Sequence, residues 1–169
     1  MNFKNKYSPR ERYEKFKEDL TIGESGEKVI SLYLVCQGMS LVSFNETSAY
    51  DILMKNPKTN KEVSFEVKTD TFHKDTGNLA IEIRQKGEPS GLSTSKADWF
   101  VYFYTGLSFN NVWMIKIDEL KMLIKKSSFT IISGGDNKTS QLVLIPRDKY
   151  KKFFRIDTIK IKQYEDDRE

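Results

Sequence analysis

The chain has one histidine, His73, and one cysteine, Cys36, among 169 residues. A lone histidine excludes a metal site built from several imidazoles, and any phosphodiesterase mechanism that needs two of them. His73 is expected in a loop. A lone cysteine excludes an intramolecular disulfide, and the apolar setting of Cys36 reads as a small core residue in a reducing compartment. Long hydrophobic runs are also missing: residues 99–104 and 112–117 fall far short of the roughly 20 needed to cross a bilayer, so no membrane partner is expected. Residues 1–20 are charged throughout and lack the apolar segment of a secretory signal, which points to a cytoplasmic protein. No repeat, low-complexity segment or Pro/Ser-rich linker interrupts the chain, so it reads as one domain over 1–169.

What is present suits a folded domain in water. Hydrophobic residues make up 38% and charged residues 31% of the chain, a balance that excludes a disordered polypeptide. Twenty-eight Lys and Arg against 24 Asp and Glu leave a net charge of +4, which permits a polyanion partner. The charge gains weight if carboxylates cluster in a site, because the remaining surface is then more basic than the total.

Helix formers dominate residues 9–37, with an interruption at 21–26 that predicts two helices, the second ending near Gly38. Short β-rich runs follow at 41–44, 50–54, 63–69 and 79–84, and they read as neighbouring strands. Turn formers at 56–60 predict an antiparallel hairpin between the second and third. Residues 90–98 read as a loop with a short helix, 99–104 as a strand buried on both faces, and 112–117 as another strand. A helix over 118–126 capped by Asp118, a turn at 133–137, a strand at 141–145 and a helix over 146–154 complete the order. The expected fold is α/β: a mixed central sheet flanked by helices.

Chemistry concentrates around Glu66. In a strand, side chains alternate, so Phe65 and Val67 share one face while Glu66 and Lys68 share the other. Asp51, across the hairpin, can face the same way. Two carboxylates supply hard oxygen ligands for Mg²⁺, with Mn²⁺ as a substitute, and the Val67 carbonyl can add another. Metal binding lowers the pKa of water and neutralises charge on a phosphate, which suits phosphodiester hydrolysis. Lys68 is placed to orient that water or stabilise the transition state; two adjacent carboxylates favour its charged form and argue against a general base. Glu24 and Glu27 lie three apart and can share a helix face, and Glu27 is the preferred third carboxylate because it begins the apolar run that packs on the sheet. The bland alternative is an exposed cross-strand charge pair, worth a few tenths of a kcal/mol. A second Glu-x-Lys, Glu119–Leu120–Lys121, reads as a solvated helix face.

In this order the residues resemble the PD-(D/E)XK nuclease superfamily, the fold of many restriction enzymes and Holliday-junction resolvases. The resemblance spans residues 23–104. It implies a restriction-endonuclease-like core in which Glu27, Asp51 and Glu66 bind Mg²⁺ and Lys68 assists the water. Residues 81–83 followed by 90–103 also look like small phage-type nucleases of the superfamily. The proline of the motif is absent, since Ala49 and Tyr50 precede Asp51; residues 109–169 have no counterpart. Lys74, Arg84, Lys86 and Lys96 lie near the site in sequence and are candidates for DNA phosphate contacts, with Ser90, Ser93 and Thr94 as neutral ones. Glu82, on the next strand, is a further candidate. The expected activity is Mg²⁺-dependent endonucleolytic cleavage of DNA, with a homodimer compatible with cutting both strands. The alternatives are a nucleic-acid-binding module without catalysis, and an enzyme acting on RNA.

Overall fold

The computed structural model describes residues 9–45, 49–71, 76–105, 110–134 and 138–159, with side chains from residue 21 onward. Helix α1 (Pro9–Cys36) leads into strands β1 (Ser40–Phe44), β2 (Ile52–Asn56), β3 (Lys61–Thr71), β4 (Asn78–Gln85) and β5 (Glu88–Pro89). A 3₁₀ turn (Gly91–Ser93) precedes β6 (Trp99–Thr105), β7 (Asn110–Lys116) and α2 (Ile117–Lys126). Strands β8 (Thr130–Gly134) and β9 (Ser140–Pro146), the short helix α3 (Arg147–Tyr150), a second 3₁₀ turn (Lys151–Phe153) and β10 (Arg155–Ile159) follow.

The fold is α/β with a mixed central sheet. Its six strands run in the order β1-β2-β3-β6-β7-β10. All neighbours are antiparallel except β3 and β6, which are parallel with Phe65 opposite Trp99. A second, antiparallel sheet has the order β5-β4-β9-β8. Alternation along the strands sorts the core into two layers. On one face of the six-stranded sheet, Ile52, Met54, Phe65, Val101, Phe103, Val112 and Met114 pack against Ile30 and Leu34 of α1. On the other, Phe100, Tyr102 and Ile115 pack against Leu79, Ile81, Val143 and Ile145 of the second sheet and Ile117 and Leu120 of α2. Tyr102 ties the layers together: it is fully buried, its hydroxyl donates to Asp70 on β3, and the Ala80 amide of β4 donates to it at 3.3 Å.

Several expectations are corrected. Residues 9–36 form one helix, not two. Gly26 does not break α1; a Cβ there would meet Thr69 Oγ1 at 1.8 Å, so glycine permits the helix to lie against β3. Strand β4 does not neighbour β3, whose two edges are taken by β2 and β6; it heads the second sheet instead. Helix α2 starts after Lys116, and Asp118 lies in its first turn, where a carboxylate favours the helix dipole without capping it. Ser133 and Gly134 end strand β8, and residues 135–137 of the expected turn lie outside the described residues. The expected helix over 146–154 is one short helix and a 3₁₀ turn. Cys36 is exposed, beside the exposed Leu32 and Val35. Strands β8 and β10 escape sequence reading because both are edge strands whose side chains are mostly exposed, so neither shows a buried alternation.

Candidate active site

The site grows out of the β2–β3 hairpin. Asn56 Oδ1 accepts the Lys58 amide at 3.0 Å, and Asn60 takes a left-handed φ of 58°, which together close the turn and set Asn56 opposite Lys61 and Ile52 opposite Phe65. Asp51 was expected within the strand. It lies instead at the bend just before β2, where its amide donates to the Phe65 carbonyl at 2.9 Å. The chain turns away beyond it, and Asp51 Oδ2 accepts the Val67 amide at 2.7 Å. The side chain thus extends the ladder by one bond after the backbone has left. Because the N–H and C=O of a strand residue point to the same edge, the Val67 carbonyl faces this opening too.

Glu66 and Lys68 lie on the face of β3 opposite α1, because Phe65 and Val67 pack in the α1 layer. The Ser95 hydroxyl, from the neighbouring loop, faces the Glu66 carboxylate and favours its ionised form. The same hydroxyl donates to the Ala49 carbonyl at 3.5 Å. Ser95 is only 2% exposed, and its own carbonyl accepts Lys121 Nζ at 2.9 Å. Lys121 thereby reaches the site from α2, and its charge acts on Glu66. The reading of Glu119–Leu120–Lys121 as a solvated face is therefore wrong for two of three residues: Leu120 is fully buried and Lys121 half-buried, while Glu119 is exposed.

Glu27 comes from the far side of the sheet. The contact between Gly26 and Thr69 presses α1 against β3 and sets Glu27 within electrostatic reach of both Asp51 and Glu66. Burial, then repulsion from Asp51, pushes both glutamates up to about 7 from an ordinary 4.5. Burial likewise raises Asp51, opposed by its bond from Val67. Glu24 is exposed and acts on Glu27 alone of the three. Among the described residues no group of three or more acidic, histidine or cysteine side chains is close enough together to hold a metal ion by itself.

Lys68 is exposed and lines a cleft of about 430 Å³ with Gly23, Val67, Asp70 and Glu82. Glu82 therefore borders the same space, where its Oε1 accepts the Ser90 hydroxyl at 2.7 Å. Ser93 donates to the Ile83 carbonyl at 2.8 Å and Thr94 to the Gly91 carbonyl at 3.1 Å. All three hydroxyls hydrogen-bond within the protein, and Ser93 and Thr94 are exposed. Arg84 and Lys86 are exposed at the β4–β5 turn and Lys96 in the loop before β6, whereas Lys74 and His73 lie outside the described residues. Sequence reading missed Ser95, Lys121 and Gly26. An amphipathic helix with a lysine beside its buried leucine was the one available signal for Lys121.

Among the described residues no helix is long and apolar enough to cross a membrane. No protein-family model matches the chain, and no curated protein matches it. Its structure is similar to that of a bacterial homing endonuclease, I-Ssp6803I, with a TM-score of 0.47 and 14% sequence identity over 76% of this chain and 79% of the other.

Proposed function

We propose that this chain is a Mg²⁺-dependent deoxyribonuclease that hydrolyses phosphodiester bonds within DNA, on a PD-(D/E)XK-like core. The observation that carries the reading is that Glu27, Asp51 and Glu66, from a helix, a bend and a strand, lie within electrostatic reach of one another, with Asp51 pinned on the Val67 amide where the chain leaves β2. Three carboxylates that repel one another in partial burial are costly for a fold unless a cation offsets them. A closed cage is not required. Mg²⁺ keeps several waters and takes one or two carboxylates plus substrate phosphate oxygens, and Asp51, Glu66 and the Val67 carbonyl are hard oxygen donors of that kind.

When bound, Mg²⁺ supplies Lewis-acid polarisation of the phosphate and lowers the pKa of water. The chain's own residues do the rest. Val67 fixes Asp51 through its amide, Ser95 and Lys121 orient Glu66, and Glu27 adds charge from α1. Lys68, on the same face as Glu66, is placed to hold the attacking water or the phosphate as a cation. It acts there as a hydrogen-bond donor. One such site cuts one strand; cutting a duplex therefore calls for a second copy or a second encounter.

The test is incubation of purified protein with plasmid, linear and branched DNA and with RNA, in Mg²⁺ or a chelator. Metal-dependent DNA cleavage abolished by Asp51→Ala and by Glu66→Ala is the expected result. Cleavage unchanged by both substitutions overturns the site, and DNA binding with no cleavage under any condition overturns the activity.

A further inference from the structure

A second cleft, of about 560 Å³, opens on the other side of Glu66 and is walled by Lys61, Lys96, Lys116 and Lys121. These lysines come from four separate elements: the start of β3, the loop before β6, the end of β7 and helix α2. The sheet register brings them together. Parallel pairing starts only at Phe65 and Trp99, so the first residues of β3 overhang β6, and Trp99 in turn pairs with Lys116. Three carboxylates share the walls, but Asp98 is turned onto Ser64, accepting its amide at 2.8 Å and its hydroxyl at 2.9 Å. The walls thus carry four ammonium groups against three carboxylates, of which Asp98 is held to one side on Ser64. The cleft joins the carboxylate site through Ser95 and Lys121, which both line it and both act on Glu66, Lys121 also bonding to the Ser95 carbonyl.

We infer that this cleft binds the phosphodiester backbone of duplex DNA beside the reacting phosphate, so that the strand enters along Lys61, Lys96 and Lys116 and reaches the carboxylates past Lys121. The identity of the ligand rests on the nuclease reading; the location does not. From Lys61 to Glu66, β3 runs roughly 17 Å at about 3.3 Å per residue, enough to follow several phosphates. Lysines supplied by four separate elements along one cleft are what a backbone track requires. The interface therefore lies by the start of β6, away from the β4–β5 turn that carries Arg84 and Lys86.

The test measures binding of a fluorescent duplex of about 20 base pairs to the full chain in the presence of a chelator, so that affinity is read without metal-dependent cleavage. Each phosphate contact contributes about 0.9 to the slope of log affinity against log salt. Replacing both Lys61 and Lys116 by Gln should lower that slope by about 1.8. Raising salt from 50 to 200 mM should then weaken the wild type about tenfold more than the variant. Both side chains are exposed, so the fold should survive, which circular dichroism checks. Lys125→Gln/Lys126→Gln, on exposed lysines of the same helix α2 outside the cleft, should leave affinity and slope unchanged. Equal effects from the two pairs, or none from the first, overturn the inference. Cleft-dependent binding by a protein that cuts no DNA overturns the activity and leaves the cleft assignment standing.

Discussion

Asp51 Oδ2 accepts the Val67 amide at 2.7 Å, where a β2 carbonyl would sit if the strand had continued. One carboxylate thus has two tasks: one oxygen completes the sheet, and the negative charge faces Glu66 and Glu27.

The two tasks separate by substitution. Asp51→Asn keeps a carbonyl oxygen for the Val67 amide and loses the charge; Asp51→Ala loses both. Each is expected to lower DNA cleavage by on the order of 10²–10³-fold, since a cation ligand contributes several kcal/mol. In urea denaturation without metal, the Asn variant should be more stable than the Ala variant by about 1 kcal/mol, the ordinary net worth of one hydrogen bond. Equal stability of the two would mean that the Val67 bond contributes nothing to the fold.

The raised glutamates predict a pH dependence whose sign is fixed. Glu27 and Glu66 titrate near 7 in the folded protein and at 4.5 when unfolded, so between those values the folded state binds more protons. Metal-free stability therefore falls as pH rises from about 4.5 and levels off above about 7. Mg²⁺ should raise the melting temperature at pH 8, where both groups are ionised, and have little effect at pH 5, where they are protonated. The same shift at both pH values would detach these carboxylates from the metal.

Local chemistry made half of this site legible in the sequence. Glu66 and Lys68 can be paired from strand alternation, Asp51 from the turn formers at 56–60, and Glu27 from the start of an apolar helix stripe. The rest depends on contacts that no local period encodes. Ser95 and Lys121 are 26 residues apart and meet only because α2 folds back over the face that carries Glu66. The same limit hid the second sheet: the apolar alternation of Leu79 and Ile81 fits a strand in either sheet, and only the filling of both edges of β3 decides between them.

Gly26 tests whether helix position governs the site. A Cβ there would meet Thr69 Oγ1 at 1.8 Å and Thr69 Cβ at 2.9 Å. Gly26→Ala must lift α1 from β3, with an expected loss of about 1–3 kcal/mol from overpacking and a drop in cleavage as Glu27 withdraws. Adding Thr69→Ala removes the nearer atom but not the second, so recovery should be partial. Thermal melts and cleavage assays on the single and double variants check this, and full activity in Gly26→Ala would show that Glu27 need not sit where α1 now places it.

Ser95 and Lys121 are positioning residues for Glu66, and their effect has a direction. The Ser95 hydroxyl and the Lys121 charge both favour ionised Glu66, against the burial and repulsion that raise it. Ser95→Ala and Lys121→Gln should each push the Glu66 titration higher, and the acid limb of kcat for DNA cleavage, read at saturating DNA, should move to higher pH. Lys121→Arg keeps the charge and should return the limb most of the way. Saturating DNA matters because Lys121 also borders the lysine cleft, where its loss raises KM without moving a limb in kcat. A purely structural role would lower kcat at every pH and leave the limb in place, and that outcome would remove both residues from the account of how Glu66 is held.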